Sequence, residues 1–140
     1  MEKRYLALVK GVPEPAEAEI RSCLARSRKE NRVKTVEKGG KAAITRYRVV
    51  ESLTDAALLD INLLTGRSHQ IRAHMSEQGH PLLGDQRYGG PQQYQGIDLD
   101  RPLLHAASLR FSHPVTGEPL DFSVPLPADM NQLLASIKIK

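Results

Sequence analysis

The pattern of residues 4–9 alternates around Tyr5, Ala7 and Val9. Gly11 and Pro13 follow, so the pattern predicts a β-strand. Residues 43–50 and 57–64 are rich in β-branched, aromatic and aliphatic side chains and flank Thr54-Asp55, which predicts a hairpin. A second hairpin is predicted for residues 103–111 and 119–124 across His113-Pro114-Val115-Thr116-Gly117-Glu118. Residues 127–137 read as a closing helix. Residues 30–40 and 89–101 read as long polar loops, the second a mobile connector by its Gly, Pro and Gln content. Periodicity alone leaves residues 16–29 open, because their composition favours a helix and Ile20 and Leu24 stand four apart. Antiparallel strands with segregated helices point to an α+β domain with a mixed or mostly antiparallel sheet and a few helices.

Residues 65–89, TGRSHQIRAHMSEQGHPLLGDQRYG, carry the densest chemistry. Ser68 is placed to cap a helix running from His69 to about Gln78. Gly79 is placed to stop it, and Pro81 cannot continue it. Ile71 and Met75 share a face and belong to the core. Arg67, His69 and Arg72 sit at or before the first turn, where the helix dipole disfavours cations by roughly a few tenths of a kcal/mol each. A bound phosphate or a nearby carboxylate would offset that cost. Gly84-Asp85 with Tyr88-Gly89 reads as a tight turn in which Asp85 caps its own backbone. His69, His74 and His80 are spaced by five and six, which does not place two imidazoles on one helix face, so no metal site is expected.

The net charge of +4 is unevenly distributed. Residues 1–50 hold 13 Lys or Arg against 6 Glu, and residues 51–140 hold 7 against 10 Asp or Glu. Arg21, Arg26, Arg28, Lys29, Arg32, Lys34 and Lys38 form the densest cluster, suited either to tracking a polyanion or to keeping a loop solvated. No apolar run approaches a membrane span and no signal-like N-terminus is present, so a soluble, cytoplasmic chain is expected. Cys23 is the single cysteine, which excludes an internal disulfide and suits a reducing compartment.

The spelling of residues 65–89 resembles the signature of the RluA-type pseudouridine synthases, which isomerise uridine in ribosomal and transfer RNA. Four further blocks follow the family's order: Lys3 to Val9 with Gly11; Gly40 to Ala43 running into Thr45, Tyr47 and Val49; Leu103 to Ala106; and His113 to Glu118 with Pro125 to Asp129. The family's catalytic aspartate lies in an H-R-L-D stretch upstream of the first of these blocks. No such stretch occurs in these residues. The resemblance therefore implies a single partial domain over residues 1–140, the C-terminal portion of the catalytic fold, inactive without the aspartate segment. It also implies an extended strand for residues 16–29.

By the same resemblance, Tyr5 would stack on the target base with its hydroxyl placed for proton transfer. Arg72 would match the arginine that pairs with the catalytic aspartate, a partner expected to be missing here. Read without the family, Tyr5 is a half-buried strand aromatic and Arg72 a surface arginine on a helix. Arg67, His69 and Gln70, with Arg28, Lys29, Arg32 and Lys34, are the candidate RNA-binding residues. The implied chemistry needs no cofactor and no metal, and the implied partner is RNA, ribosomal or transfer. Asp85 as a replacement nucleophile is disfavoured, since its block supports the pocket in the family. The competing reading is a non-catalytic RNA-binding or interaction module on the same scaffold.

Overall fold

A computed structural model describes the backbone of residues 2–112, 119–123, 127 and 130. Its main feature is a seven-stranded sheet with the order β3-β2-β4-β5-β1-β8-β9. The strands are β1 (Glu2–Lys10), β2 (Glu17–Ser27), β3 (Arg32–Thr35), β4 (Lys41–Leu53), β5 (Ala56–Leu63), β8 (Leu104–Ser112) and β9 (Pro119–Ser123). Every neighbouring pair is antiparallel. Between β5 and β8 lie one helix, α1 (Gln70–Glu77), a 3-10 turn (Gln86–Tyr88) and a small separate hairpin, β6 (Gln93–Tyr94) and β7 (Ile97–Asp98).

Strand β5 is apolar at nearly every position because both of its faces are covered. On one face, Ala7, Val9, Tyr47, Ala57, Leu59 and Ile61 pack under Ile71 and Met75 of α1 and under Leu82. On the other, Leu8, Ala56 and Leu58 pack against Leu83, Tyr94, Leu103 and Met130. A third cluster of Leu24, Val33, Ala43, Ala73 and Tyr88 fixes the flank of α1 to the β2–β3 hairpin.

The expected strands at residues 4–9, 43–50 and 57–64 are present. Leu53 faces Ala56 across the Thr54-Asp55 turn, with Asp55 at φ 53°. Residues 17–27 form a strand, as the resemblance implied. The ambiguity had a simple cause: residues four apart share a face on a helix and on a strand alike. The second hairpin is present as β8 and β9, while its expected turn at residues 113–118 and nearly all of the expected helix at 127–137 lie outside the described residues.

Three expectations are corrected. The 30–40 segment is not all loop, since residues 32–35 pair with β2 as an edge strand. The 89–101 segment is not a bare connector. Gln95 and Gly96, both at positive φ, close the two-residue hairpin β6–β7, and the Tyr94 hydroxyl donates to the Thr54 carbonyl. Ser68 does not cap α1: the cap is His69, in the left-handed region at φ 52°, ψ 26°, with no side-chain capping bond. The C-terminus follows expectation. Gly79 at φ 85° donates to the Ser76 carbonyl and His80 N–H to the Met75 carbonyl, the paired bonds of a Schellman stop.

Candidate functional site

The turn into α1 is built by Gln70. Its amide oxygen accepts from Thr65 Oγ1 at 2.8 Å and from Arg67 N–H at 3.0 Å, and its amide nitrogen donates to the Ile44 carbonyl and to Thr45 Oγ1. With only 2% of its surface exposed, Gln70 organises the turn from inside. Arg67 Nε donates to the Ala42 carbonyl at 2.7 Å. The guanidinium thereby borders a cleft of about 370 Å³ shared with Arg26, Lys41 and Ser68.

Arg72, in the first turn of α1, pairs with a carboxylate of this chain, Asp85, which is a different group from the catalytic aspartate that the resemblance assigns to it. Nε reaches Asp85 Oδ2 at 2.9 Å and Nη2 reaches Oδ1 at 2.8 Å. The Asp85 side chain is fully buried, while Arg72 keeps 20% of its side chain exposed. Asp85 therefore does not cap its own backbone. Its hydrogen bonds with Arg72 push the guanidinium pKa up, against the effect of burial. The nearby carboxylate is one of the two groups that the cations at this helix end called for. The guanidinium lies 4.8 Å from the centre of the Tyr88 ring, a cation–π contact.

Tyr88 also meets His69. The Tyr88 hydroxyl and His69 Nδ1 are 3.0 Å apart, and the rings stand edge to face at 82°. Burial and the charges of Arg72, Arg87 and Arg26 push the His69 pKa down. His69 and Arg72 are thus brought together around one aromatic residue, beside an open cleft of about 550 Å³ that Arg72, Asp85, Arg87 and Asp100 line.

Of the hairpin cations, Arg28 and Lys29 are exposed at the β2–β3 turn, whereas Arg32 and Lys34 lie within 3.9 and 3.3 Å of Glu30. Tyr5 sits in β1 opposite Ile61, partly buried against the core cluster under α1, and so on the same side of the sheet as the helix. The opposite side holds a cleft of similar size, about 330 Å³, where Arg4, Arg46 and Arg48 face Glu17, Glu19 and Asp60. Charge is balanced there and unbalanced beside Arg67. The cleft beside Arg67 is thus the better anion receptor.

Sequence reasoning missed His74. It is fully buried, with Nδ1 2.7 Å from Thr45 Oγ1 and Nε2 2.8 Å from Ser22 Oγ. Ser22 continues to Thr35 and Thr35 to Glu77. The available signal was its position three residues after Ile71 and next to Met75, on the apolar stripe of the helix. The three histidines of this segment serve separate contacts, His80 meeting the Lys10 carbonyl.

Comparison with known proteins agrees with this architecture. Residues 1–77 match the RNA pseudouridylate synthase family. An uncharacterized RNA pseudouridine synthase of Chlorobaculum parvum is 43% identical over 99% of this chain and 47% of its own length. The ribosomal large subunit pseudouridine synthase D of Zymomonas mobilis is 40% identical over 98% and 45%. The structure of human RNA pseudouridylate synthase domain containing 4 superposes with a TM-score of 0.80 at 25% identity, over 98% of this chain and 62% of that one. The chain spans about half the length of the curated relatives it matches. On sequence and fold together, it belongs to the RNA pseudouridylate synthase family.

Proposed function

We propose that this chain is the RNA-cradling, arginine-bearing part of an enzyme that isomerises uridine to pseudouridine in ribosomal or transfer RNA. In that reaction the C1′–N1 bond breaks, the uracil turns, a C1′–C5 bond forms, the C5 proton leaves and N1 ends protonated. A carboxylate must act on the sugar or base, and the flipped base must be held while it turns. Tyr5 is assigned the stacking role and Arg72 the role of holding the carboxylate and nucleotide. Arg67 and His69, with Arg28, Lys29, Arg32 and Lys34, are assigned to the RNA backbone, and Gln70 supports them from within the turn.

The geometry of Arg72 carries this reading. Asp85 occupies Nε and Nη2 and fixes the plane of the guanidinium, which leaves Nη1, on a side chain that keeps 20% of its surface exposed, for a second carboxylate or a nucleotide oxygen. The acting carboxylate is assigned to an H-R-L-D segment, which these residues do not contain, so the chain alone is expected to be silent. The occupied fork also favours a second reading, a non-catalytic RNA-binding module.

RNA carrying tritium at uracil C5 separates these readings. The protein in which an H-R-L-D segment precedes this chain should release tritium, and the chain alone should not. Release by the chain alone would overturn the division of labour and turn attention to Asp85. Binding without release by either would favour the non-catalytic module.

A further inference from the structure

Tyr88 has four attachments, and together they fix the proton on its hydroxyl. The oxygen accepts the Val33 N–H of β3 at 2.8 Å. The ring carries Arg72, the backbone carbonyl accepts from Ser76 Oγ at 2.6 Å, and only 2% of the residue is exposed. The hydroxyl has one proton, and among the described residues the acceptor within its reach is His69 Nδ1 at 3.0 Å. An Nδ1 that accepts this bond is bare, so the neutral ring carries its proton on Nε2.

His69 is moreover held at φ 52°, ψ 26°, in a region that a side chain with a Cβ seldom occupies. A glycine would fit the backbone there with less strain, so the position retains a side chain for a use of its own. Arg26, Arg72 and Arg87 act electrostatically on the ring in one direction and Asp85 alone acts in the other, so cations predominate around it. An uncharged donor in that field adds no fourth cation, while the surrounding charges draw in an anion.

We propose that the Tyr88 hydroxyl is a positioning group that locks His69 as the Nε2–H tautomer and aims that N–H at a phosphate oxygen of the bound RNA. The same hydroxyl ties His69 to the β2–β3 hairpin through Val33, so the hairpin bearing Arg28 and Lys29 and the donor at the helix start are held in one register. The identity of the ligand rests on the function proposed above. The tautomer does not.

The test uses the 140-residue protein labelled with ¹⁵N at histidine and long-range ¹H–¹⁵N correlation of the imidazoles. In the unmodified protein, at a pH where His69 is neutral, its pattern should be that of the Nε2–H form. Tyr88→Phe should release it to a mixture of tautomers and raise its pKa, because the bond that stabilised the bare Nδ1 is gone. An Nδ1–H pattern in the unmodified protein would overturn the proposal without any variant having to fold. An unchanged tautomer in folded Tyr88→Phe would do the same.

The ligand is tested separately with a uridine-containing single-stranded oligoribonucleotide. Its binding should shift the His69 Nε2 resonance, and His69→Ala should weaken affinity roughly tenfold. An Nε2–H tautomer whose Nε2 resonance stays put while the oligonucleotide binds would overturn the phosphate assignment.

Discussion

The Arg72 guanidinium and the Asp85 carboxylate meet as fork to fork, 2.9 Å from Nε to Oδ2 and 2.8 Å from Nη2 to Oδ1, with the acid wholly inside the protein. A buried pair of this kind is costly to break from one side, because the remaining charge is left without a partner. Arg72→Ala should destabilise the fold by about 3 kcal/mol, at the lower end of the usual 3–5 kcal/mol because water reaches part of the arginine. Asp85→Asn, which keeps the shape and one acceptor oxygen, should cost about half as much. Urea unfolding of the two variants checks the order, and midpoints equal to that of the unmodified protein would show that the pair contributes little.

The turn that delivers Asp85 depends on two glycines. A Cβ on Gly84, at φ 83°, would lie 2.0 Å from the Arg101 carbonyl oxygen, and one on Gly90 would lie 2.0 Å from that of Leu82. Gly79 shares the positive φ but has open space around it. Alanine at position 79 should therefore cost only the conformational strain of about 1 kcal/mol. Alanine at position 84 adds a backbone clash and should cost about 3 kcal/mol or more. Thermal unfolding should place Gly84→Ala well below Gly79→Ala.

Much of this was legible in the sequence, and what was not has physical reasons. Alternating or continuously apolar runs revealed β1, β4 and β5, since the sheet sorts side chains by face. Ile71 and Met75 revealed the buried side of α1. Strand β3 and the β6–β7 hairpin were hidden because they are short and polar and depend on single anchors, Val33 and Tyr94. The start of α1 misled because Gln70 builds the turn from its side chain, whereas Ser68 has the cap-forming chemistry but makes no such bond. The Arg72–Asp85 pair spans 13 residues and a reversal of the chain, and no local periodicity reports a contact of that kind.

Burial pushes the His74 pKa below its ordinary value, with Glu77 acting weakly in the other direction. His69 is shifted the same way. Each ring therefore takes up a proton in the unfolded chain, near pH 6.5, before it does so in the folded one. Stability should be at its plateau above about pH 6.5 and should fall with pH from there down to the lowered folded-state values, where it levels off. Neutral His74 suits its partners: Thr45 can donate to Nδ1 while Nε2–H donates to Ser22 Oγ, which lies 3.0 Å from Thr35 Oγ1, and Thr35 donates to Glu77. A second proton on Nδ1 would leave the Thr45 hydroxyl, which already accepts from Gln70, without its acceptor. Urea midpoints between about pH 7.5 and pH 5 should show this loss, and His74→Gln should flatten most of it. A midpoint that rises on acidification would contradict the assignment.

If the function proposed above holds, two conservative substitutions in the protein in which an H-R-L-D segment precedes this chain should separate chemistry from RNA binding. Arg72→Lys keeps the charge but cannot form two parallel bonds to Asp85, and it gives up the flat contact with Tyr88. Whatever Nη1 holds is then misaligned, so turnover should fall roughly ten- to a hundredfold while RNA affinity changes little. Arg67 borders the cationic cleft and is oriented by a single Nε bond to the Ala42 carbonyl. A phosphate accepts a lysine nearly as well as an arginine, so Arg67→Lys should leave the rate at saturating RNA almost unchanged. It should weaken affinity and soften its dependence on salt. Single-turnover rates with RNA affinities at two salt concentrations measure both effects. Normal turnover in Arg72→Lys with loss in Arg67→Lys would reverse the two roles and move the reacting centre from the helix to the turn before it.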